Sequence, residues 1–120
     1  MKDFWNNQIK NNWKLVLLAP MDWYWDSAYR QVVKKVAPNV ICVSEFYSAD
    51  WLVHSKFLAD SVLPHNKSED PLIIQIFWKD PEMFAKAAKI ISDPKYNIAW
   101  IDINMWCPAK KVVRSWHGSS

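Results

Sequence analysis

Four short apolar runs recur along the chain at intervals of about 30 residues, the spacing of repeated strand–helix–strand units. They cover residues 14–19, 39–46, 71–77 and 98–105, and each is rich in β-branched and other apolar side chains. Such short, nearly continuous runs are typical of parallel strands that are buried on both faces. Because neighbouring parallel strands need a long crossover between them, the runs predict an α/β fold.

The segments between these runs have the periodicity of amphipathic helices. Asp26 is a candidate N-cap of a helix that Pro38 ends, and Asp80 followed by Pro81 begins another helix. A third, less regular pattern covers residues 49–63. The predicted apolar faces are Tyr29, Val32, Val33 and Val36 in the first helix, and Phe84, Ala87, Ala88 and Ile91 in the later one. The cations of the first helix are interpreted as solvated: Arg30, Lys34 and Lys35.

The alternation of strands and helices leaves two architectures open. An open doubly wound sheet can be built from four strands, whereas a closed (β/α)8 barrel needs about 250 residues. The chain has 120 residues, and residues 114–120 begin a crossover with no helical pattern behind it. We therefore expect a chain that is truncated after its fourth strand.

Composition excludes several classes of protein. Hydrophobic residues make up 51% of the chain and charged residues 22%, which excludes a disordered or collagen-like protein. No run approaches the ~18–20 apolar residues of a membrane span, and no small-residue cleavage site follows the apolar residues 15–18. The 2 cysteines cannot form a disulfide framework, which favours the reducing cytoplasm. A net charge of +3 does not by itself indicate a nucleic-acid partner.

Glycine is unusually rare in this chain and tryptophan is unusually common. There are 1 glycine and 9 tryptophans, whereas glycine ordinarily makes up about 7% of residues. Trp23, Trp78 and Trp106 follow apolar runs, at strand-to-helix turns where a positive φ or a close backbone approach to a ligand favours glycine. Trp100 interrupts a predicted buried strand.

We hypothesise that UGA codons of the source encode glycine and have been translated here as tryptophan. The principal positions lie at turns, at helix starts or within a strand: Trp23, Trp51, Trp78, Trp100, Trp106 and Trp116. Trp13 and Trp25 are included, and Trp5 is interpreted as genuine. Eight such replacements bring glycine to about 7.5%, close to its ordinary share. The alternative is a genuine Trp-rich surface that stacks on bases or sugars, which leaves the missing glycines unexplained.

Several motifs resemble those of one enzyme family along essentially the whole chain. They are residues 18–23 with 26–30, residues 44–46, residues 75–78 with 80–81, and residues 102–112. The last motif reads Asp-Ile-Asn-Met-Trp-Cys-Pro-Ala-Lys-Lys-Val and is the most specific. The chain resembles the tRNA-dihydrouridine synthase family, which has glycine at the positions of Trp23, Trp78 and Trp106.

The resemblance implies an FMN-dependent (β/α)8 TIM barrel followed by a helical domain that helps to hold tRNA. Residues 1–120 are then the N-terminal half of the barrel, about four parallel strands with intervening helices, without the C-terminal half-barrel and the helical domain. The implied reaction is the reduction of a tRNA uridine to 5,6-dihydrouridine, with hydride from flavin N5 to C6 and NADPH as reductant. We expect this chain alone to be inactive, and the complete enzyme to be a cytoplasmic monomer that binds no membrane and no metal.

The resemblance also implies cofactor-binding residues. Pro20, Met21 and Asp22 match the first flavin-contacting segment of the family, and an ordinary strand end is the alternative. Gln75 is a candidate flavin ligand, because a buried amide needs partners and the polar edge of an isoalloxazine offers both a donor and an acceptor. The alternative for Gln75 is a core glutamine with protein partners.

The resemblance assigns catalysis and substrate binding to residues of the motif 102–112. Cys107 corresponds to the proton donor to C5, with a loop thiol of no function as the alternative. Asn104 is a candidate for contact with flavin or the target base, and Lys111 for contact with flavin, base or RNA phosphate. In contrast, Cys42 is interpreted as a packed core residue. The three histidines show no metal-ligand pattern: His54, His65 and His117.

Two other functions remain open from the sequence. One is a different FMN-dependent TIM-barrel oxidoreductase that acts on a small molecule, such as a dihydroorotate dehydrogenase-like enzyme. The other is a non-enzymatic Trp-rich module that binds RNA or sugar.

Overall fold

A computed structural model describes residues 4–11, 14–24 and 26–105 of the chain. The described residues form four strands: β1 (Leu17–Leu18), β2 (Ile41–Ser48), β3 (Leu72–Phe77) and β4 (Trp100–Ile103). They also form five α-helices: α1 (Phe4–Asn11), α2 (Ser27–Val36), α3 (Ala49–His54), α4 (Lys56–Val62) and α5 (Pro81–Ile91). Single 3₁₀ turns at Lys67–Glu69 and Pro94–Tyr96 precede β3 and β4.

The strands form one sheet in the order β1-β2-β3-β4, and each neighbouring pair is parallel. Because strand crossovers are right-handed and the strand order never reverses, the crossover helices lie on one face of the sheet. A doubly wound sheet reverses its strand order and carries helices on both faces. The arrangement confirms the predicted N-terminal half of a (β/α)8 barrel.

Each face of the sheet has its own apolar cluster. On the helix-covered face, strand residues pack against α3, α4 and α5 in the main core: Cys42, Leu72, Ile74 and Ile76 from the strands, and Leu52, Ala59, Ala87 and Ile91 from the helices. Cys42 is fully buried, which confirms its interpretation as a core residue. The opposite face, called here the inner face, carries Ile41, Val43 and Ile73, and Trp5 of α1 and Trp100 of β4 pack against them.

Two predicted helix starts are confirmed. Asp26 precedes α2 and its Oδ1 accepts a hydrogen bond from the Tyr29 backbone N–H at 2.8 Å. Asp80 precedes α5, its Oδ1 accepts from the Glu82 N–H at 3.0 Å, and Pro81 occupies the first helical position. Each cap satisfies a backbone donor that has no partner within the helix and contributes about 1 kcal/mol.

The predicted orientation of α2 is wrong. The face interpreted as apolar is largely exposed, with exposed fractions of 40% for Tyr29, 57% for Val32 and 83% for Val36, whereas Arg30 and Lys34 are buried at 5% and 8%. The Lys34 ammonium donates to the carbonyl oxygens of Pro38 at 3.0 Å and Val40 at 2.9 Å. These bonds, and an ion pair of Arg30, stabilise the buried cations.

The ion pair of Arg30 joins α2 to the 3₁₀ turn before β3. Arg30 Nε donates to Glu69 Oε2 at 2.6 Å, and both side chains are almost fully buried. Glu69 Oε1 accepts from Ser27 Oγ at 2.6 Å and from the Asn66 backbone N–H at 2.9 Å. Burial favours a higher pKa for Glu69, but the hydrogen bonds from Ser27, Asn66 and Arg30 outweigh it and lower the pKa.

Elements differ from the sequence prediction in four places. The helical pattern over residues 49–63 is two helices, because Ser55 ends α3 and its Oγ accepts from the Leu58 N–H to cap α4. Helix α1 was not predicted, and β1 is limited to Leu17–Leu18. Strand β2 begins and ends two residues later than the predicted run. None of the described helices has both the length and the apolar character needed to cross a bilayer.

Candidate functional site

A polar chain of side chains crosses β3 and β4 on the inner face, toward their carboxyl ends. Gln75 pairs in register with Asp102, so their side chains are neighbours on the same face. Gln75 Nε2 donates to Asp102 Oδ2 at 2.6 Å. Asn104, just past the end of β4, donates from Nδ2 to Gln75 Oε1 at 3.3 Å. Asp102, Gln75 and Asn104 therefore form one hydrogen-bonded series, called here the amide relay.

The backbone beneath Gln75 is held by an irregularity in β2. The register between β2 and β3 shifts between Val43 and Phe46. At this irregularity the Gln75 backbone N–H donates to Ser44 Oγ at 3.0 Å, and the Ser44 hydroxyl donates to the Glu45 carbonyl oxygen at 2.6 Å. This side-chain contact fixes the position of Gln75 where regular pairing is interrupted.

The Gln75 amide is only half satisfied by the described protein. Its side chain is buried, with 6% of the residue exposed. A glutamine amide offers two N–H donors and two acceptor positions. Within the described part of the chain one donor is used by Asp102 and one acceptor position by Asn104. A buried amide with one donor and one acceptor left over is a feature that a ligand can satisfy.

A cavity of about 320 Å³ opens on the inner face beside this relay. Its lining is mostly apolar and aromatic with one carboxylate, and includes Trp5, Pro20, Val43, Ile73, Trp100 and Asp102. The Trp5 and Trp100 rings meet edge to face, with centroids 5.9 Å apart and an angle of 73° between their planes. Small-molecule sites are typically concave, apolar and supplied with a few polar groups, as this cavity is.

The turn after β1 brings an acidic pair to the same edge of the sheet. Asp22 is exposed on this turn, and Glu45 lies near it within β2. Burial raises the pKa of Glu45, and the nearby negative charge of Asp22 raises it further. The backbone N–H of Trp23 donates to the Glu45 carboxylate and opposes this rise. The turn is thus joined to β2 through Glu45.

The described tryptophans occupy four different environments. Trp23 has a φ of 68° and an exposed fraction of 88%. Trp51 is exposed in the first turn of α3, Trp78 packs against the main core after β3, and Trp100 lies in β4 against Trp5. Among the described non-glycine residues, positive φ occurs at Trp23 and Asn97 alone. A left-handed backbone therefore accounts for a glycine preference at Trp23 and not at Trp51, Trp78 or Trp100.

The structure brings together part of the predicted site. Gln75 and Asn104 are in direct contact, and Pro20 lines the cavity that Asp102 also lines. Met21 and Asp22 lie on the exposed turn and are not among the cavity-lining residues. The predictions for Cys107 and Lys111, and for the turn at Trp106, lie outside the described residues.

Two residues of this edge were not singled out from the sequence. Asp102 belongs to the motif that carries Asn104, and its position two residues before Asn104 places both on one face of a strand. Glu45 belongs to the motif of residues 44–46. The signal for Asp102 was present, but only the β3–β4 register shows which polar side chain contacts Gln75.

The residues present fit a flavin. The half-satisfied Gln75 amide suits the polar edge of an isoalloxazine, which offers an N–H donor between two carbonyl acceptors, and the apolar cavity suits a flat aromatic ring. Within the described ranges no three His, Cys, Asp or Glu side chains cluster closely enough to hold a metal ion.

Comparison with known sequences agrees with this architecture. A sequence model of the dihydrouridine synthase family matches residues 17–120. The tRNA-dihydrouridine synthase B of Xanthomonas campestris is 34% identical over 105 residues, which are 88% of this chain and 31% of that protein. A probable tRNA-dihydrouridine synthase 1 of Synechocystis is 32% identical over 106 residues, covering 88% of this chain and 29% of that protein.

A third relative has a similar identity and is also matched over most of this chain. The tRNA-dihydrouridine synthase B of Shewanella oneidensis is 34% identical over 113 residues, 94% of this chain and 33% of that protein. The chain thus spans about a third of the length of these curated relatives. Because the family model covers most of the 120 residues, the chain belongs to the dihydrouridine synthase family.

Proposed function

We propose that the complete protein encoded by this reading frame reduces a uridine of tRNA to 5,6-dihydrouridine, with FMN as cofactor and NADPH as reductant. The proposal is supported by family membership and by relatives named as tRNA-dihydrouridine synthases. The observation that carries it furthest is the buried, half-satisfied Gln75 amide on the inner face, whose partner Asp102 lines an apolar cavity. The amide relay extends to Asn104, just past the carboxyl end of β4, and barrel enzymes place their chemistry at the carboxyl ends of the strands.

The flavin contacts of this half of the barrel fall on two segments. The Gln75 amide would hydrogen-bond the polar edge of the isoalloxazine, and Pro20, which lines the cavity, would contact the ring. Met21 and Asp22 are proposed as flavin contacts on the family motif alone, since they do not line this cavity. Bound FMN supplies the hydride that is transferred to C6 of the uracil. The side chains of Val43 and Ile73 line the cavity and keep water from this part of the ring.

Cys107 is proposed to donate the proton that C5 needs. It follows the last residue of β4 by four positions in the sequence, and so belongs to the segment after the carboxyl end of that strand. A thiol with an ordinary pKa of about 8.5 is mostly protonated at neutral pH and can act as an acid. The neighbouring Lys110 and Lys111 favour the thiolate, so the proposed role requires another interaction to keep the thiol protonated.

The substrate and its access follow from the same proposal. A uracil inside folded tRNA must be splayed out of its stack to reach a flavin. Asn104 is proposed to contact the flavin or the base, and Lys111 the flavin, the base or an RNA phosphate. We place the complete enzyme in the cytoplasm as a monomer, and we expect residues 1–120 alone to be inactive.

We also propose that glycine occupies the eight tryptophan positions of the decoding hypothesis in the protein that the source makes. The positive φ of Trp23 supports this at one position. The Trp100 indole lines the cavity, so glycine at residue 100 would enlarge the space available to a flavin. The codons decide the proposal: UGG at Trp78 and Trp106 would contradict it, and UGA would support it.

The proposed reaction is tested on the complete reading frame, produced with glycine at these eight positions. We expect NADPH-dependent loss of uridine and gain of dihydrouridine on unmodified tRNA, measured by nucleoside mass spectrometry. Cys107→Ala is expected to abolish dihydrouridine formation while FMN stays bound. Cys42→Ala, which changes the buried core thiol, is the matched control and is expected to retain activity.

The outcomes separate the candidate functions. Bound flavin with no activity on tRNA favours an FMN-dependent oxidoreductase of a small molecule. Binding of tRNA or glycan without flavin, by the protein with its tryptophans, favours the Trp-rich binding module. A Cys107→Ala variant with undiminished activity contradicts the assigned proton donor.

A further inference from the structure

Asp102 occupies one end of the amide relay. Its Oδ2 accepts the hydrogen bond from Gln75 Nε2 at 2.6 Å, the shortest of the relay's contacts. Asp102 also lines the inner-face cavity, and its pairing with Gln75 is fixed by the β3–β4 register. The carboxylate therefore lies between the sheet and the cavity, in contact with the candidate flavin ligand.

The chemistry of a carboxylate determines the direction of both amides in the relay. A carboxylate accepts hydrogen bonds and has none to donate. The NH₂ end of Gln75 must therefore face Asp102, and the Gln75 oxygen must face away from it. That oxygen in turn needs a donor, so Asn104 must present its Nδ2. Replacing the carboxylate by an amide removes this constraint, because an amide both donates and accepts.

We propose that Asp102 is a positioning residue that sets the direction in which Gln75 presents its remaining donor and acceptor to FMN. This inference rests on the proposed function, since it concerns the flavin site. Asp102 itself need not touch the flavin, because it acts through Gln75. In the fixed direction the second N–H of Gln75 and the second lone pair of its oxygen match an acceptor and a donor of the isoalloxazine edge. In the reversed direction the Gln75 N–H would face the donor of the isoalloxazine edge, and the Gln75 oxygen would face an acceptor.

Two variants change the direction of the Gln75 side-chain amide while the size of the side chains at residues 102 and 104 stays the same. Asp102→Asn opens both directions, so the fraction of competent protein falls to about a half and the Kd for FMN rises about twofold. The double variant Asp102→Asn/Asn104→Asp, called here the exchange, moves the carboxylate to the opposite end of the relay. It therefore favours the reversed direction of the Gln75 amide. We expect the exchange to raise the Kd about tenfold, the effect of one mismatched hydrogen bond, and to shift the visible absorption of bound FMN.

Two comparisons show whether the effect passes through Gln75. Glu82→Gln makes the same carboxylate-to-amide change at an exposed position of α5, and it should leave the Kd unchanged. In a Gln75→Ala background the exchange should change the Kd by less than a third of its effect in the unmutated protein, because the group that it turns is absent. Thermal unfolding of each variant without FMN shows that the fold is retained.

Three results would overturn the inference. Unchanged Kd and absorption in the exchange variant would show that Gln75 is not oriented by Asp102. An equal effect in the Gln75→Ala background would show that residues 102 and 104 act on the flavin without Gln75. Failure of the unmutated protein to bind FMN would contradict the proposed function and the inference together, and is distinguished from the first two results because those require FMN binding.

Discussion

At the scale of single residues, Trp23 combines a bulky exposed side chain with a backbone that favours glycine. Its φ of 68° places it in the left-handed region, where a Cβ costs roughly 1–2 kcal/mol. The indole is 88% exposed, so it contributes little burial energy in return. Glycine would therefore relieve the steric cost at residue 23 with little loss of burial energy.

Trp23→Gly should be more stable than Trp23→Ala by about 1 kcal/mol, because the two variants differ by the Cβ that the left-handed backbone disfavours. Trp51 provides the matched control, since it is also exposed but lies in α3. There the order should reverse, with Gly less stable than Ala by about 1 kcal/mol. The free energies of unfolding come from urea titrations of the complete protein produced with tryptophan at the eight positions. The same order at both positions would contradict the steric account.

Glu45 should make the stability depend on pH. Burial and the charge of Asp22 raise its pKa in the folded protein, so the folded state binds a proton more readily than the unfolded chain. The ionised carboxylate therefore reduces stability above the raised pKa, and that loss disappears as the pH falls. Glu45→Gln should be more stable than the unmutated protein at pH 7.

The difference should vanish near pH 4, where an ordinary carboxyl group of pKa about 4.3 becomes protonated in both states. Melting temperatures at a series of pH values measure it. A constant difference from pH 4 to pH 8 would show that packing, and not ionisation, distinguishes the two proteins.

At the scale of elements, the buried Arg30–Glu69 pair joins α2 to the segment before β3. The partners are 39 residues apart in sequence, so the contact ties the first crossover to the third strand. Neither side chain has significant exposure, and Glu69 also binds Ser27 and the Asn66 backbone. The pair explains why α2 turns Arg30 inward and leaves Val32 and Val36 at the surface.

Glu69→Gln should destabilise the complete protein by about 3–5 kcal/mol, because it leaves the Arg30 charge buried without its counter-charge. Asp50→Asn, which removes a partly exposed partner of His54, is the control and should cost at most about 1 kcal/mol. Chemical denaturation of the two variants measures both values. Equal and small losses would show that the Arg30 charge finds another acceptor or reaches water.

The α2 face shows where sequence reasoning reaches its limit. Cations and valines both recur at helical spacing in Ser27–Val36, so periodicity identifies two faces but not which one is buried. The decisive partner of Arg30 is Glu69, which lies in the 3₁₀ turn Lys67–Glu69, and spacing along α2 does not show that this turn packs against the helix. Helix α1 also depends on a partner that is distant in sequence. Its Trp5 packs against Trp100 of β4, and local sequence does not show this contact.

At the scale of the whole molecule, the parallel sheet and its helices were predictable because four continuous apolar runs permit few arrangements. The strand order and the half-barrel agree with the prediction from the family motifs. Gln75 and Asn104 were identified by the same motifs and are in contact. The contact of Asp102 with Gln75 follows only from the strand register, since sequence spacing does not show which side chains meet across a sheet.

Apolar side chains are exposed along the edge of the sheet that β1 forms. Leu15, Val16 and Leu17 are exposed beside β1, and so are Val32 and Val36 of α2. In a closed barrel the first strand and helix lie against the last ones, which would cover this surface. Exposed apolar side chains at this edge are what a half-barrel predicts.

The flavin content of the complete protein, produced with glycine at the eight positions, tests the central claim most directly. We expect a yellow protein that binds one FMN per chain in a titration followed by absorbance, with a Kd at least tenfold higher for Gln75→Ala, which lacks the amide that holds the ring. A colourless, folded protein that takes up no added FMN would contradict the assignment of the inner-face cavity and of Gln75.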